Sequence, residues 1–162
     1  MAQTESLQIN QPSELEIEIV REFAAPRELV FQAFTEPGLI KQWMLGPGGW
    51  TMPLCEVDLR VGGGYRHVWR KAGVPDMGLT GTFTEVTPPE RLVATEVFDE
   101  DWTGGPTTVT TSFDDRAGTT VVSTLVRYSS REARDAAFRT GMADGMEAGY
   151  QRLDALLAEQ PL

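Results

Sequence analysis

Two residue types that build most metal and disulfide sites are nearly missing from this 162-residue chain, which has one cysteine, Cys55, and one histidine, His67. A lone cysteine forbids an internal disulfide and suits a reducing compartment, so the expected location is the cytoplasm. A lone histidine with no cysteine pair removes the usual zinc ligand sets, and neither metal nor cofactor is expected. Positive charge is scarce as well. The chain sets 14 Lys and Arg against 24 Asp and Glu, a formal net charge of −10. It cannot supply the clustered cations that displace counterions from a phosphate backbone or an anionic lipid surface, which argues against nucleic-acid and membrane partners. Long hydrophobic runs are absent too, since nothing nears the roughly 18 consecutive apolar residues of a membrane span. Met1 to Pro12 lacks the basic and apolar regions of a signal peptide, and residues 1–13 read as a disordered leader. The remainder, residues 14–160, has average composition (41% apolar and 23% charged for the whole chain) and is long enough for one domain with a sizeable core.

What is present is a clear succession of periodic segments. Leu15, Ile17 and Ile19 alternate with Glu14, Glu16 and Glu18, the period-two pattern of a strand with one wet face. Pro26 then precedes Leu29, Val30, Ala33 and Phe34 at helical spacing, so a short helix is expected over Arg27 to Thr35. Pro37 opens a second short helix carrying Leu39, Ile40 and Trp43. Six more strands are expected near 52–59, 65–70, 79–86, 91–98, 107–113 and 119–127. They are separated by Gly62-Gly63-Gly64, Gly73-Val74-Pro75, Pro88-Pro89, Gly104-Gly105-Pro106 and Asp114 to Gly118. Short connections imply antiparallel neighbours, because a parallel pair needs a crossover of a dozen or more residues.

The last segment reads as one long helix, roughly Arg131 to Ala158. Ser129 and Glu132 fit a capping box. Phe138, Gly141, Met142, Gly145, Met146, Gly149, Leu153, Leu156 and Leu157 follow at three- and four-residue steps, a stripe of about 30 residues or about 45 Å. A helix with one apolar stripe must bury it, and the sheet is the only large partner. The expected architecture is therefore α+β, a curved antiparallel sheet of six or seven strands wrapped on a long C-terminal helix, with two short helices after the first strand.

This order resembles the START-like, or SRPBCC, helix-grip superfamily, in the branch named for the activator of heat-shock-protein-90 ATPase, C-terminal-type domain. The likeness rests on five stretches. They are Phe23 to Pro26 with Val30 to Phe34; Lys41-Gln42-Trp43; Val57 to Arg66; Glu85 to Val93; and Ser130 to Asp135 continuing into Thr140-Gly141-Met142 and Arg152 to Leu157. The resemblance implies a cavity between helix and sheet but no particular chemistry, since superfamily members bind lipids and hormones or cyclise polyketides. The first expectation is a small-molecule-binding domain with a hydrophobic or amphipathic ligand. A cyclase-like or hydratase-like enzyme using the same cavity is the alternative from catalysis. A co-chaperone-like domain, with a chaperone as partner, is the alternative from protein interaction. A homodimer is compatible with all three.

Candidate lining residues follow from the pattern. Tyr65, His67 and Trp69 alternate with Arg66, Val68 and Arg70, so the aromatic trio points inward while the arginines meet water. The trio serves either as core packing or as a cavity wall whose polar edges orient a ligand. His67 as a lone imidazole could act as acid or base, but no nucleophile accompanies it, so it is assigned to the pocket and no catalytic residue is named. Glu96 shares alternation with Leu92, Ala94 and Phe98, although a glutamate is ordinarily on the wet face. Gly145 and Gly149, flanked by Met142 and Met146, leave either room for a ligand or a close packing contact. Trp43, Trp50 and Trp102 lie in or beside loops, where they could close the cavity mouth, and Phe34, Phe83 and Phe113 complete the expected lining. Gly62-Gly63-Gly64 lacks the following Lys-Ser/Thr of a phosphate loop and reads as a tight turn, and Cys55 as a buried inert thiol.

Overall fold

The Gly- and Pro-rich breaks of the sequence separate strands in the computed structural model, which describes residues 7–100 and 105–159. In chain order the elements are β1 Gln8–Ser13, β2 Glu16–Phe23, α1 Arg27–Thr35, α2 Pro37–Trp43, β3 Thr51–Val57, β4 Gly64–Arg70, β5 Met77–Thr87, β6 Arg91–Phe98, β7 Thr107–Arg116, β8 Thr119–Arg127, α3 Arg131–Arg139 and α4 Met142–Glu159. The eight strands form one curved antiparallel sheet in the order β1-β2-β8-β7-β6-β5-β4-β3, open at β1 and β3. The expected α+β class and the two short helices hold, and two parts of the expectation are corrected.

The first correction is the strand count, eight rather than six or seven, because the stretch read as a leader contains β1. That strand pairs with β2, and Leu7 and Ile9 beside it pack against the core. An edge strand bonds on one side only, so Pro12 is tolerated there and strict alternation is not required. Residues 1–6 of the expected leader lie outside the described residues.

The second correction is that the C-terminal helix is two helices. Gly141 takes a left-handed φ of 75° after the last turn of α3, and the Thr140 hydroxyl donates to the Ala137 carbonyl at 2.6 Å. A left-handed glycine is the common way for a helix to stop. The cap of α3 also lies one residue later than expected, because Ser130 Oγ accepts from the Ala133 amide at 3.0 Å. With the stripe broken at Gly141, Phe138 turns outward and is 42% exposed.

Helices and sheet meet over an aromatic core. Phe34 packs on Trp43 at 4.8 Å between ring centroids and on Phe113 at 5.3 Å, while Tyr150 of α4 packs edge-on to Phe23 of β2 at 5.3 Å. Such pairs contribute about 0.5–1.5 kcal/mol each beyond the area they bury. One charged side chain joins α4 to β2. Arg21, 3% exposed, bonds Asp154 through two nitrogens at 3.0 and 2.7 Å and Glu147 through two at 3.2 Å. Burial alone would lower its pKa, but the two carboxylates more than offset that and hold the guanidinium charged.

Candidate functional site

Register decides which side chains share the inner face. Tyr65 of β4 pairs with Gly81 of β5, and Gly81 pairs with Glu96 of β6. Gly81 is the reason these three can work together. A Cβ on it would stand 2.0 Å from the Tyr65 ring, so only a glycine lets the ring lie across β5. Lying there, Tyr65 donates its hydroxyl proton to Glu96 Oε2 in a short hydrogen bond. Glu96, expected on the wet face, is therefore an inner-face residue. Its alternation with Leu92, Ala94 and Phe98 carried that information. It remains partly accessible, unlike Leu92 and Ala94 beside it.

His67 occupies the next inward position on β4, where it pairs with Leu79 of β5 and Cys55 of β3. Its ring lies 5.2 Å from Tyr65 and 5.6 Å from Trp69, and Tyr65 in turn is 5.1 Å from Phe83. His67 is 5% exposed, and among the described residues neither ring nitrogen has a hydrogen-bond partner. The alternation of Tyr65, His67 and Trp69 thus does point inward as read. Trp69 is held by a bond from its indole N–H to the Met44 carbonyl at 2.8 Å, which pins the loop after α2 to β4.

The electrostatics follow from burial. Desolvation pushes the Glu96 carboxyl above its ordinary value, and the Tyr65 hydrogen bond opposes that only in part. Desolvation, reinforced by Glu96, holds the Tyr65 hydroxyl protonated. Burial pulls His67 down to about 4, so its imidazole is neutral near pH 7 and offers one donor and one acceptor. Burial and the nearby Glu96 push Tyr128, just past β8, up to about 12. The Cys55 thiol, expected to be buried, is half-buried, and desolvation chiefly raises it to about 11.

The remaining sequence candidates divide by environment. Phe34, Trp43 and Phe113 belong to the aromatic core, where Trp43 is 3% exposed and donates its indole N–H to the Ala33 carbonyl at 2.9 Å. Trp43 therefore packs inside the fold instead of closing a mouth. Phe83, 5% exposed, bridges this core and the Tyr65 ring. Met142 and Met146 at the start of α4 are half-buried against the core, and the Met142 sulfur lies 4.0 Å from the Tyr128 hydroxyl. Gly149 is a contact glycine, since a Cβ there would stand 2.9 Å from the Trp43 carbonyl oxygen. Gly145 faces Pro47, whose Cδ would be 3.3 Å from such a Cβ. Arg152 completes that contact by donating to the Gly46 carbonyl at 2.7 Å. The glycine stripe is thus where α4 meets the end of α2 and its following loop. Trp50 is half-buried beneath the Lys71 ammonium, 5.9 Å from the ring centroid, and Trp102 lies outside the described residues.

A shallow groove of about 420 Å³ at the β3–β5 edge is lined by Glu56, Val57, Asp58, Arg66, Thr80 and Thr82 and reaches Tyr65 and Gly81. By register Glu56, Arg66 and Thr80 share the outer face, and Arg66 is already paired with Asp99 at 2.7 Å. The Gly62–Gly64 turn serves the backbone, as expected, with Gly62 at φ 83° and no room for a Cβ on Gly63 beside the Asp58 carbonyl. Among the described residues no cluster of His, Cys, Asp and Glu could hold a metal ion, and no helix is long and apolar enough to cross a membrane.

A curved antiparallel sheet packed on helices, with polar groups set among aromatic rings on its inner face, defines a START-like domain. The chain belongs to the activator of Hsp90 ATPase homolog 1-like protein family, whose sequence profile matches residues 24–158. A solved protein from Rhodobacter sphaeroides is 37% identical over 96% of this chain and 100% of that one, with a TM-score of 0.91. One from Nitrosomonas europaea is 26% identical over 92% and 97%, with a TM-score of 0.80. An AHSA1-like protein from Aeromonas hydrophila is 27% identical over 90% and 98%, with a TM-score of 0.65. No curated protein matches the chain.

Proposed function

We propose that the chain is a small-molecule-binding domain whose apolar or amphipathic ligand lies between the inner face of β4–β6 and the Met142–Met146 side of α4. The observation that carries this reading is His67, which is 5% exposed and has two ring nitrogens that no described residue satisfies. Leaving such a group unpaired costs about 1–3 kcal/mol, and a ligand with a polar end and an apolar body offsets that cost. Tyr65, Trp69 and Phe83 supply the aromatic wall, Met142 and Met146 an adaptable opposite side, and Glu96 a second polar contact. Phe34, Trp43, Phe113 and Gly149 support this wall from the core behind it.

Native mass spectrometry of the full chain, purified without detergent, tests the reading. The expected result is a population carrying a small molecule of definite mass that is released on denaturation and depleted in His67→Phe. Protein without such a species, which also fails to bind apolar fluorescent probes, would remove the proposal. A ligand whose mass changes during incubation with the protein would instead favour the enzyme alternative.

A further inference from the structure

Resting on that reading, we infer that the site selects a ligand carrying a protonated amine on an apolar body. Among the inward positions of β3 to β6, Glu96 holds the only charge. The Tyr65 hydroxyl occupies Oε2 and leaves Oε1 for an incoming donor. The rings of Tyr65, His67 and Trp69 stand in one arc beside it, 5.2 and 5.6 Å from centroid to centroid. Aromatic faces attract cations through their quadrupoles, most strongly once water is removed. His67 adds a buried acceptor nitrogen with no partner among the described residues, which suits a ligand N–H.

The same geometry disfavours the other polar ends. A carboxylate would meet Glu96, and the inward Arg21 is already bound to Asp154 and Glu147. A hydroxyl can hydrogen-bond here but leaves Glu96 uncompensated. An ammonium favours the ionised carboxylate, and the net charge of −10 draws cations toward the protein before they bind.

Three probes of one shape separate these cases: naphthylmethylamine, naphthylmethanol and naphthoate, each titrated calorimetrically into the full chain at pH 7. The amine is expected to bind about tenfold or more tighter than the alcohol, the scale of one well-placed desolvated charge contact. In Glu96→Gln that margin should vanish while alcohol binding persists. The margin should also vanish for N-acetylnaphthylmethylamine, which keeps an N–H but loses the charge. This second measurement uses unaltered protein and stands even where Glu96→Gln folds poorly. Equal or tighter binding of the alcohol or the naphthoate would overturn the amine inference and leave the small-molecule reading intact. Failure of all three to bind would take both away.

Discussion

Glu96 and His67 both meet Tyr65 on the inner face and respond oppositely to pH, which makes their burial measurable. The folded pKa of His67, about 4, lies below its ordinary 6.5 because burial disfavours the imidazolium. Its contribution is therefore complete above 6.5 and is lost as pH falls toward 4, where the unfolded chain takes up a proton that the folded chain refuses. The loss approaches about 3 kcal/mol, at 1.36 kcal/mol per pKa unit. The folded pKa of Glu96 is raised, so its contribution is present below its ordinary 4.5 and is lost as pH rises through the folded value. Urea denaturation across pH 4 to 7 should show His67→Phe flattening the acid-side fall. Glu96→Gln, which keeps an acceptor for the Tyr65 hydroxyl, should raise stability at pH 7 and change little near pH 4. The inward aim of His67 was legible because arginines flank it in alternation. The side of Glu96 was written in the same alternation, but the general preference of glutamate for water pointed the other way. The part of Gly81 could not be read at all, since it depends on a ring from the neighbouring strand, and register between strands is not encoded locally.

Elements show the same division between local and distant causes. The strands β2 and β4 to β8 announce themselves by alternation and turn residues, each a short-range signal. Gly141, Gly145 and Gly149 read as one stripe at four-residue spacing, yet only the last two meet a neighbour. Gly141 ends α3 at positive φ, Gly145 faces a proline in an exposed loop, and Gly149 touches the backbone of α2. Spacing alone cannot separate these, because the neighbours come from a hundred residues earlier in the chain. Thermal melts of two variants distinguish the contacts. Gly149→Ala forces a methyl against the Trp43 carbonyl and is expected to destabilise by about 1–3 kcal/mol, the usual cost of overpacking. Gly145→Ala needs only a slight shift of Pro47 and gains helix propensity of up to about 1 kcal/mol, so it should be neutral or mildly stabilising. Equal losses in both would mean that α4 packs differently from this account.

For the whole molecule, the inner face of the sheet carries one core with two regions. One, over β2, β7 and β8, is filled by the aromatic core of α1, α2 and α4 and fixed by Arg21 on α4. The other, over β4 to β6, carries Tyr65, His67 and Glu96, with polar atoms the protein does not fully pair. His67 gives a direct view of it, because a single histidine yields one unambiguous imidazole signal. The decisive measurement is the His67 ring resonance by NMR during titration of the full chain with naphthylmethylamine. The account predicts that this signal shifts saturably, together with the Tyr65 and Trp69 ring signals, and settles into one tautomer. An unmoved His67 resonance at saturation, with the shifts confined to other surfaces, would contradict it.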